Sequence, residues 1–520
     1  MGEIIIGELL TASVLDGLSG YFGWLFENVS YAASIVARNW YYLLLGVIGG
    51  MLIGIIPGMG GVVVLTILLP FTLVLDQFQA FVMLSGGLGA CTFAGSMTAI
   101  LINTPGTASN AATLIDGYPL TQKGKAVTAI TISAVSSASG AVLATSIFII
   151  AIPLMIEIVL LFGPGQIFWI ILWALLIIPF VVADRPLYGV LTGSFGGLVA
   201  LIGTAPQTAE PRYTFGIVIL YDGLELAAML IGLFAIAEIV RISSLDRNTI
   251  VDFDRVDMAG SKAEGIAEVL NHKWLWFKSS IIGLVTGAIP GAGGSAAAFV
   301  AYAHAAQSSQ NKDEFGKGAV EGIIAPESAN DAKDGGQLFP TLGLGIPGSG
   351  STAVFLGALL MHGIFPGPNL LTDEVHLVLV IAISLLMANI LTSVIGLIVA
   401  TKVTYILQVP IPLLLTGITV LALTAVFILR NSVADLWIAL IFAVIGVVFT
   451  YLKISRIPFL IAFVLASILE HNYHLAMRFA AGSANDAFFS GTLNMVLLVC
   501  FALSIFFLVI PRQRVLDSLM

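Results

Sequence analysis

The sequence predicts an all-α, polytopic transmembrane protein of about 12 spans, made of two homologous halves whose helices break at Pro-Gly motifs or re-enter the membrane there. Two observations carry that reading. The 520 residues are 58% hydrophobic and 10% charged with a mean hydropathy of +1.04, far more apolar than a soluble core requires. In addition, a set of Pro-Gly motifs occurs twice, in the same order.

Apolar stretches recur from Tyr41 to Ile510, and at roughly 20 residues per crossing they favour helices, which satisfy their own backbone groups in lipid. The opening MGEIIIGELL carries Glu3 and Glu8 where a cleaved leader has positive charge, so the first span is expected to be retained. The net charge of −9 sits in short connections, and no basic stripe offers itself to nucleic acid. Cys91 and Cys500 stand far apart in apolar segments, without metal or redox spacing, and are expected to pack.

A polar segment, 241–278, divides the chain into a first transmembrane half, 1–240, and a second, 279–520. Its Arg241, Arg247, Arg255, Lys262, Lys273 and Lys278 contrast with the sparse loops around Asp76 and Thr372, which puts the segment in the cytoplasm by the positive-inside rule. Each half then repeats one pattern. GIIPGMGG, from Gly54 to Gly61, matches GAIPGAGG, from Gly287 to Gly294, and aligns Pro57 and Gly58 with Pro290 and Gly291. NTPGTASNAAT, from Asn103, matches GIPGSGSTAVF, from Gly345, and aligns Pro105 with Pro347; DGYP from Asp116 and HGIFP from His362 follow. Gly and Pro also serve transmembrane helices as simple packing devices. Four motifs in matching order favour a repeated carrier instead.

A proline inside an apolar helix removes a donor and frees a carbonyl, and the glycine after it lets the chain turn. Lipid tolerates such a break only where the freed groups face protein or a water-filled cavity, so the four breaks are expected to converge. After the later breaks come small polar residues: Asn103, Thr104, Gly106, Thr107, Ser109 and Asn110 in one half, and Gly348, Ser349, Gly350, Ser351 and Thr352 in the other. A half-helix starting at such a run points free N–H groups and its positive dipole end at the cavity, which suits an anion. No Lys or Arg lies within either motif, so the anion would rest on neutral donors. The plainer alternative is that these hydroxyls only cap helices and fill space.

The stretch APESANDAKDGG, from Ala325, concentrates Glu327, Asn330, Asp331, Lys333 and Asp334 ahead of the Gly345 break. Glu327 or Asp331 is a candidate to take a proton or a sodium ion; a solvated loop of mixed charge is the competing reading. His362, His471 and His474 lack the companions of a metal cluster, and no nucleophile elbow or zinc-protease motif occurs. No cofactor is expected.

At these motifs the sequence resembles the large membrane subunit of the tripartite tricarboxylate transporters, the TctA family. ILINTPGTASNAATLIDGYPLTQKGKA, from Ile100 to Ala126, is similar to that family's first signature. EGIIAPESANDAKDGGQLFPTLGLGIPGSGSTAVFLGAL, from Glu321 to Leu359, is similar to its second. The likeness runs over most of the chain, from about residue 20 to about residue 490. It implies a bacterial inner-membrane carrier that takes up organic carboxylates on an ion gradient, with a small membrane subunit of about four spans and a periplasmic binding protein as partners. It also implies that the site includes the Pro-Gly segments, Asn103 to Asn110 with Asp116, and Gly345 to Thr352.

Two departures stand out. Asn330 and Asp331 occupy a place where the family commonly shows two asparagines, and LASILEHNYHLAMRF, from Leu465, only loosely follows its glutamate and paired-arginine pattern around His474, Leu475 and Arg478.

These readings combine into an alternating-access carrier with one midplane carboxylate site. Thr107, Ser109, Asn110, Ser349, Ser351 and Thr352 would hold the substrate, with the N–H groups beside Gly106 and Gly348. Sodium would use carbonyls freed at Pro105 and Pro347 with Asn103, whereas a proton would ride on Asp331 or Glu327. The rivals are a membrane-embedded enzyme acting on a lipid or isoprenoid, for which the sequence supplies no nucleophile or paired metal-binding acids, and an anion channel.

Overall fold

The computed structural model describes residues 14–182, 185–244, 258–399 and 410–509; Glu3, Glu8, Arg247, Arg255 and Ile510 lie outside the described residues. In the first half, α1 (Val14–Arg38) and α2 (Trp40–Gly54) meet at a 70° bend. They lead to α3 (Gly61–Thr72), α4 (Gln77–Ile102), α5 (Asn110–Gln122), α6 (Ala126–Leu160), α7 (Pro164–Val182) and α8 (Pro186–Ala200). A short antiparallel ribbon of β1 (Gly203–Thr204) and β2 (Pro211–Arg212), with Gly203 opposite Arg212, precedes α9 (Leu226–Ser243).

The second half repeats the plan. It contains α10 (Lys262–Asn271), α11 (Lys273–Gly287), α12 (Gly293–Ser308) and α13 (Glu321–Leu338), the last extended by a π turn over Phe339–Gly343. After these come α14 (Gly350–Met361), α15 (Pro368–Thr372), α16 (Val375–Val399), α17 (Ile411–Arg430), α18 (Val433–Tyr451), α19 (Ile457–Phe479) and α20 (Thr492–Val509).

Among the described residues, six helices are long and apolar enough to cross a bilayer, or seven with the bent α1–α2 pair taken as one span. The sequence therefore does not build a uniform row of full-length crossings. The Pro-Gly breaks leave α3, α5, α12 and α14 only 12, 13, 16 and 12 residues long.

Two inner helices organise the core. On α4 every residue from Ala80 to Leu101 is buried, and on α13 every residue from Gly322 to Leu338. The first is apolar and small-residue-rich, as a wholly buried helix should be. The second is buried although it carries Glu327, Asn330, Asp331, Lys333, Asp334 and Gln337, so the solvated-loop reading of this stretch does not hold. Helix starts follow local chemistry: Asp76 accepts from the Gln79 N–H at 3.0 Å and closes a capping box on α4.

Within the polar segment, Ser261 caps α10, which lies on α6. There Lys125 Nζ reaches Glu264 Oε1 at 2.8 Å, and this hydrogen bond holds the Glu264 carboxyl below its ordinary range.

Candidate functional site

The two halves break their helices in the same way. Asn103 (φ 55°) closes α4 and Gly345 (φ 70°) follows the π turn of α13, while Gly58 (φ 88°) and Gly291 (φ 75°) take the same left-handed backbone ahead of α3 and α12. Helix approach is matched as well. A Cβ on Gly50 or Gly54 of α2 would come within 3.0 Å of the carbonyl oxygen of Gly87 or Cys91 on α4. A Cβ on Gly283 or Gly287 of α11 would meet those of Ala329 or Lys333 on α13 in the same manner.

In each half the first break is hydrogen-bonded to the second. The Gly58 N–H donates to the Gly106 carbonyl at 3.1 Å, and the Gly293 N–H to the Gly348 carbonyl at 3.1 Å.

These bonds draw four helix N-termini together. A Cβ on Gly60, which caps α3, would lie 3.1 Å from Thr107 Cγ2, and one on Gly61 would lie 2.5 Å from Ser351 Oγ in the first turn of α14. A Cβ on Gly293, which opens α12, would lie 3.9 Å from that of Ser349. The expected convergence of the breaks is present, and it crosses from one half to the other at Gly61 and Ser351. Each N-terminus carries partial positive charge, and the leading N–H groups of α5 are already engaged, Asn110 with the Thr107 carbonyl at 3.2 Å and Ala112 with that of Ser109 at 3.3 Å.

The hydroxyl runs divide their work. Asn110 is fully buried: its Oδ1 accepts from the Thr107 N–H at 3.0 Å and from Thr107 Oγ1 at 2.6 Å, and its Nδ2 donates to Ser96 Oγ at 2.7 Å. Ser109 Oγ lies 2.7 Å from Thr107 Oγ1. In the second half Ser349 and Thr352 form a reciprocal capping box on α14, and Ser351 stands outside it. Thr104 turns back onto the Ile102 carbonyl at 3.1 Å, Asn103 is exposed, and Gly350 packs against Val62 and Ile457.

Of the carboxylates singled out above, two are saturated. Glu327 accepts from Ser96 at 2.7 Å, Ser133 at 2.6 Å, Ser137 at 2.8 Å and Thr113. Asp116 accepts from Tyr302 Oη at 2.8 Å and from the N–H groups of Gly318 and Ala319 at 2.8 and 2.9 Å. Both tie α5 to the second half. Asp331 is different, since neither of its oxygens has a hydrogen-bond partner although the residue is fully buried, and both amide atoms of its neighbour Asn330 share that state.

A family comparison now bears on the repeated breaks: the Tripartite tricarboxylate transporter TctA family matches residues 41–461, which includes all four of them. The chain belongs to the TctA family. TctA-family proteins are transporters, not enzymes, and membership makes this chain a multi-pass subunit of the bacterial inner membrane that serves carboxylate import by secondary transport. It also implies further subunits in the same transporter.

A relative 30% identical over 88% of this chain and 90% of its own length is an uncharacterized 52.8 kDa protein in the TAR-I ttuC' 3' region of Agrobacterium vitis. Another, from the TAR-II ttuC' 3' region of the same organism, is 32% identical over 39% of this chain and 84% of its own. No solved structure matches.

Sequence reasoning missed several groups around the TctA motifs. Ser96, Ser133 and Ser137 cradle Glu327; the spacing of Ser133 and Ser137 one turn apart on apolar α6 was the available signal. Glu238 of α9 binds Arg241 Nη2 at 2.5 Å and Arg456 Nη2 at 3.0 Å, and a Cβ on Gly58 would strike the Glu238 and Arg241 side chains. Nothing local in the sequence links these to the break.

Of the histidines and cysteines, only Cys91 borders the junction. His362 lies 3.4 Å from Thr72 Oγ1, His471 stacks on Phe365, and His474 lies 3.9 Å from Glu470. Arg478 donates to Gln207 Oε1 at 2.6 Å. Cys91 is buried beside Gly61, whereas Cys500 is exposed. No group of three His, Cys, Asp or Glu side chains among the described residues could hold a metal.

Proposed function

We propose that this TctA-family subunit holds one organic carboxylate, a di- or tricarboxylate or an aromatic acid, at the junction of α3, α5, α12 and α14 and moves it inward by alternating access. The observation that carries this is the meeting of four helix N-termini from both halves at Thr107, Gly61, Ser351 and Gly293. Ser351, Ser109 and Ser349 offer hydroxyls, while Thr107, whose N–H and O–H both donate to Asn110, and the Ser349–Thr352 capping box hold the two turns in shape. Pro57, Gly58, Pro290 and Gly291 keep the junction irregular, so that the site opens to either side as one half moves on the other.

The transport unit in this proposal has about twelve crossings, with short apolar helices completing spans that the breaks interrupt. The halves 1–240 and 279–520 are joined by the 241–278 segment on the cytoplasmic side. A small membrane subunit of about four spans and a periplasmic binding protein complete the transporter. The coupling ion is Na+ or H+. Sodium would sit among carbonyls freed at Pro105 and Pro347 with Asn103, and a proton would ride on Asp331. Glu327 and Asp116 act here as joints between the halves, because their oxygens already have donors.

The decisive experiment is uptake of labelled citrate, succinate and benzoate into vesicles containing the whole transporter, with sodium and proton gradients imposed separately. Saturable uptake that needs one gradient is expected, with at least tenfold weaker affinity in Ser351→Ala or Thr107→Ala. Undiminished affinity in both variants would remove the hydroxyls from the site.

A further inference from the structure

Resting on the carboxylate site just described, we infer that Lys333 is the cation that takes a substrate carboxylate there, and that Asp334 is its partner while substrate is absent. Neither break motif contains a Lys or Arg, yet Lys333 on the inner helix α13 reaches their junction. A Cβ on Gly294, in the first turn of α12, would lie 2.5 Å from Lys333 Cε. At the junction itself Cys91 Sγ is 3.0 Å from the Cβ position of Gly61. Ser351 Oγ borders that same position at 2.5 Å. The lysine stem thus lies against the first turn of α12, next to the junction where the anion is proposed to sit.

The ion pair is not one that stability alone would select. Lys333 Nζ lies 2.5 Å from Asp334 Oδ1, and Gln337 Nε2 donates to that same oxygen at 2.5 Å. Asp334 Oδ2, both oxygens of Asp331, both amide atoms of Asn330 and Gln337 Oε1 are buried with no hydrogen-bond partner. A buried pair offsets its desolvation only when its remaining lone pairs are satisfied, and here most of the surrounding acceptors are not. Acceptors in excess around one ammonium leave it free to change partners at small cost. A carboxylate drawn in by the helix ends competes with Asp334 for Lys333, whose flexible stem and three donors can follow it. Gln337 keeps Asp334 when the ammonium turns away.

The test is equilibrium binding of labelled citrate, succinate and benzoate to the full chain in lipid nanodiscs, comparing wild type with Lys333→Met, Asp334→Asn, the double variant and Ser351→Ala. Loss of the ammonium is expected to weaken citrate binding at least tenfold. Asp334→Asn, which removes the competitor, is expected to tighten it severalfold. Lys333→Met alone strands a buried carboxylate and can unfold, so the double variant, which is neutral, is the deciding protein; it should bind citrate as weakly as Lys333→Met.

A pair that only stabilises the fold predicts the opposite, with both single variants weakened and the double variant restored to wild-type affinity. That result would overturn the assignment of Lys333. Weakening in Ser351→Ala with no change in the double variant would sink the lysine and leave the carboxylate site standing. Failure of the wild-type chain to bind any of the three probes would remove both.

Discussion

Glu327 receives two hydroxyl donors on each oxygen: Ser96 and Thr113 on Oε1, Ser133 and Ser137 on Oε2. An ionised carboxylate only accepts, so four O–H donors match it fully, and its charge is held by dipoles from α4, α5 and α6. Glu327→Gln sets an NH2 against two of those donors. We expect a loss of about 3 kcal/mol, read as a lower melting temperature of the purified protein. An unchanged melting curve would mean that the hydroxyls simply turn elsewhere. At this scale the sequence singled out Glu327 and Asp331 but could not tell their surroundings apart, because the donors to Glu327 come from residues some 200 positions away on other helices.

Among the elements, α2 on α4 and α11 on α13 are the same contact made twice, through Gly50 and Gly54 in one half and Gly283 and Gly287 in the other. The glycines let two backbones approach until only hydrogen atoms fit between them, and that approach sets the position of each Pro-Gly turn. Gly287→Val drives a branched side chain into the Lys333 carbonyl and is expected to cost at least about 3 kcal/mol. Folded yield by size-exclusion chromatography reads this out, and a normal monodisperse peak would show that α11 can slide. The Pro-Gly repeats were legible because each is a local instruction that φ and a missing donor impose. The burial of α13 was not, since its mixed charges look solvated until the neighbouring helices enclose them.

For the whole molecule, the junction of the helix breaks belongs to neither half. Ser351 of the second half and Cys91 of the first both border Gly61. In a Cys500→Ser background, which removes the exposed thiol, Ser351→Cys is expected to form a disulfide with Cys91 on oxidation. The bond should be visible by mass spectrometry of the linked peptides, and it should arrest uptake until reductant is added. Efficient crosslinking with full transport would show that the two halves do not move relative to each other at this point, contrary to alternating access.

The sequence by itself determined the solvent of this protein, its helical class, its twofold plan, its four backbone breaks and its family. Each follows from composition or from short-range rules: hydrophobic length, the fixed φ of proline, and motifs repeated in order. Only the tertiary structure decided which polar residues face one another. It saturated Glu327 and Asp116, left the Asp331 oxygens without a hydrogen bond, and buried Lys333, for whose stretch a site and a solvated loop were both open, against the first turn of α12. A buried charge has no local signature, because its state is set by the dielectric and the donors that distant segments bring to it.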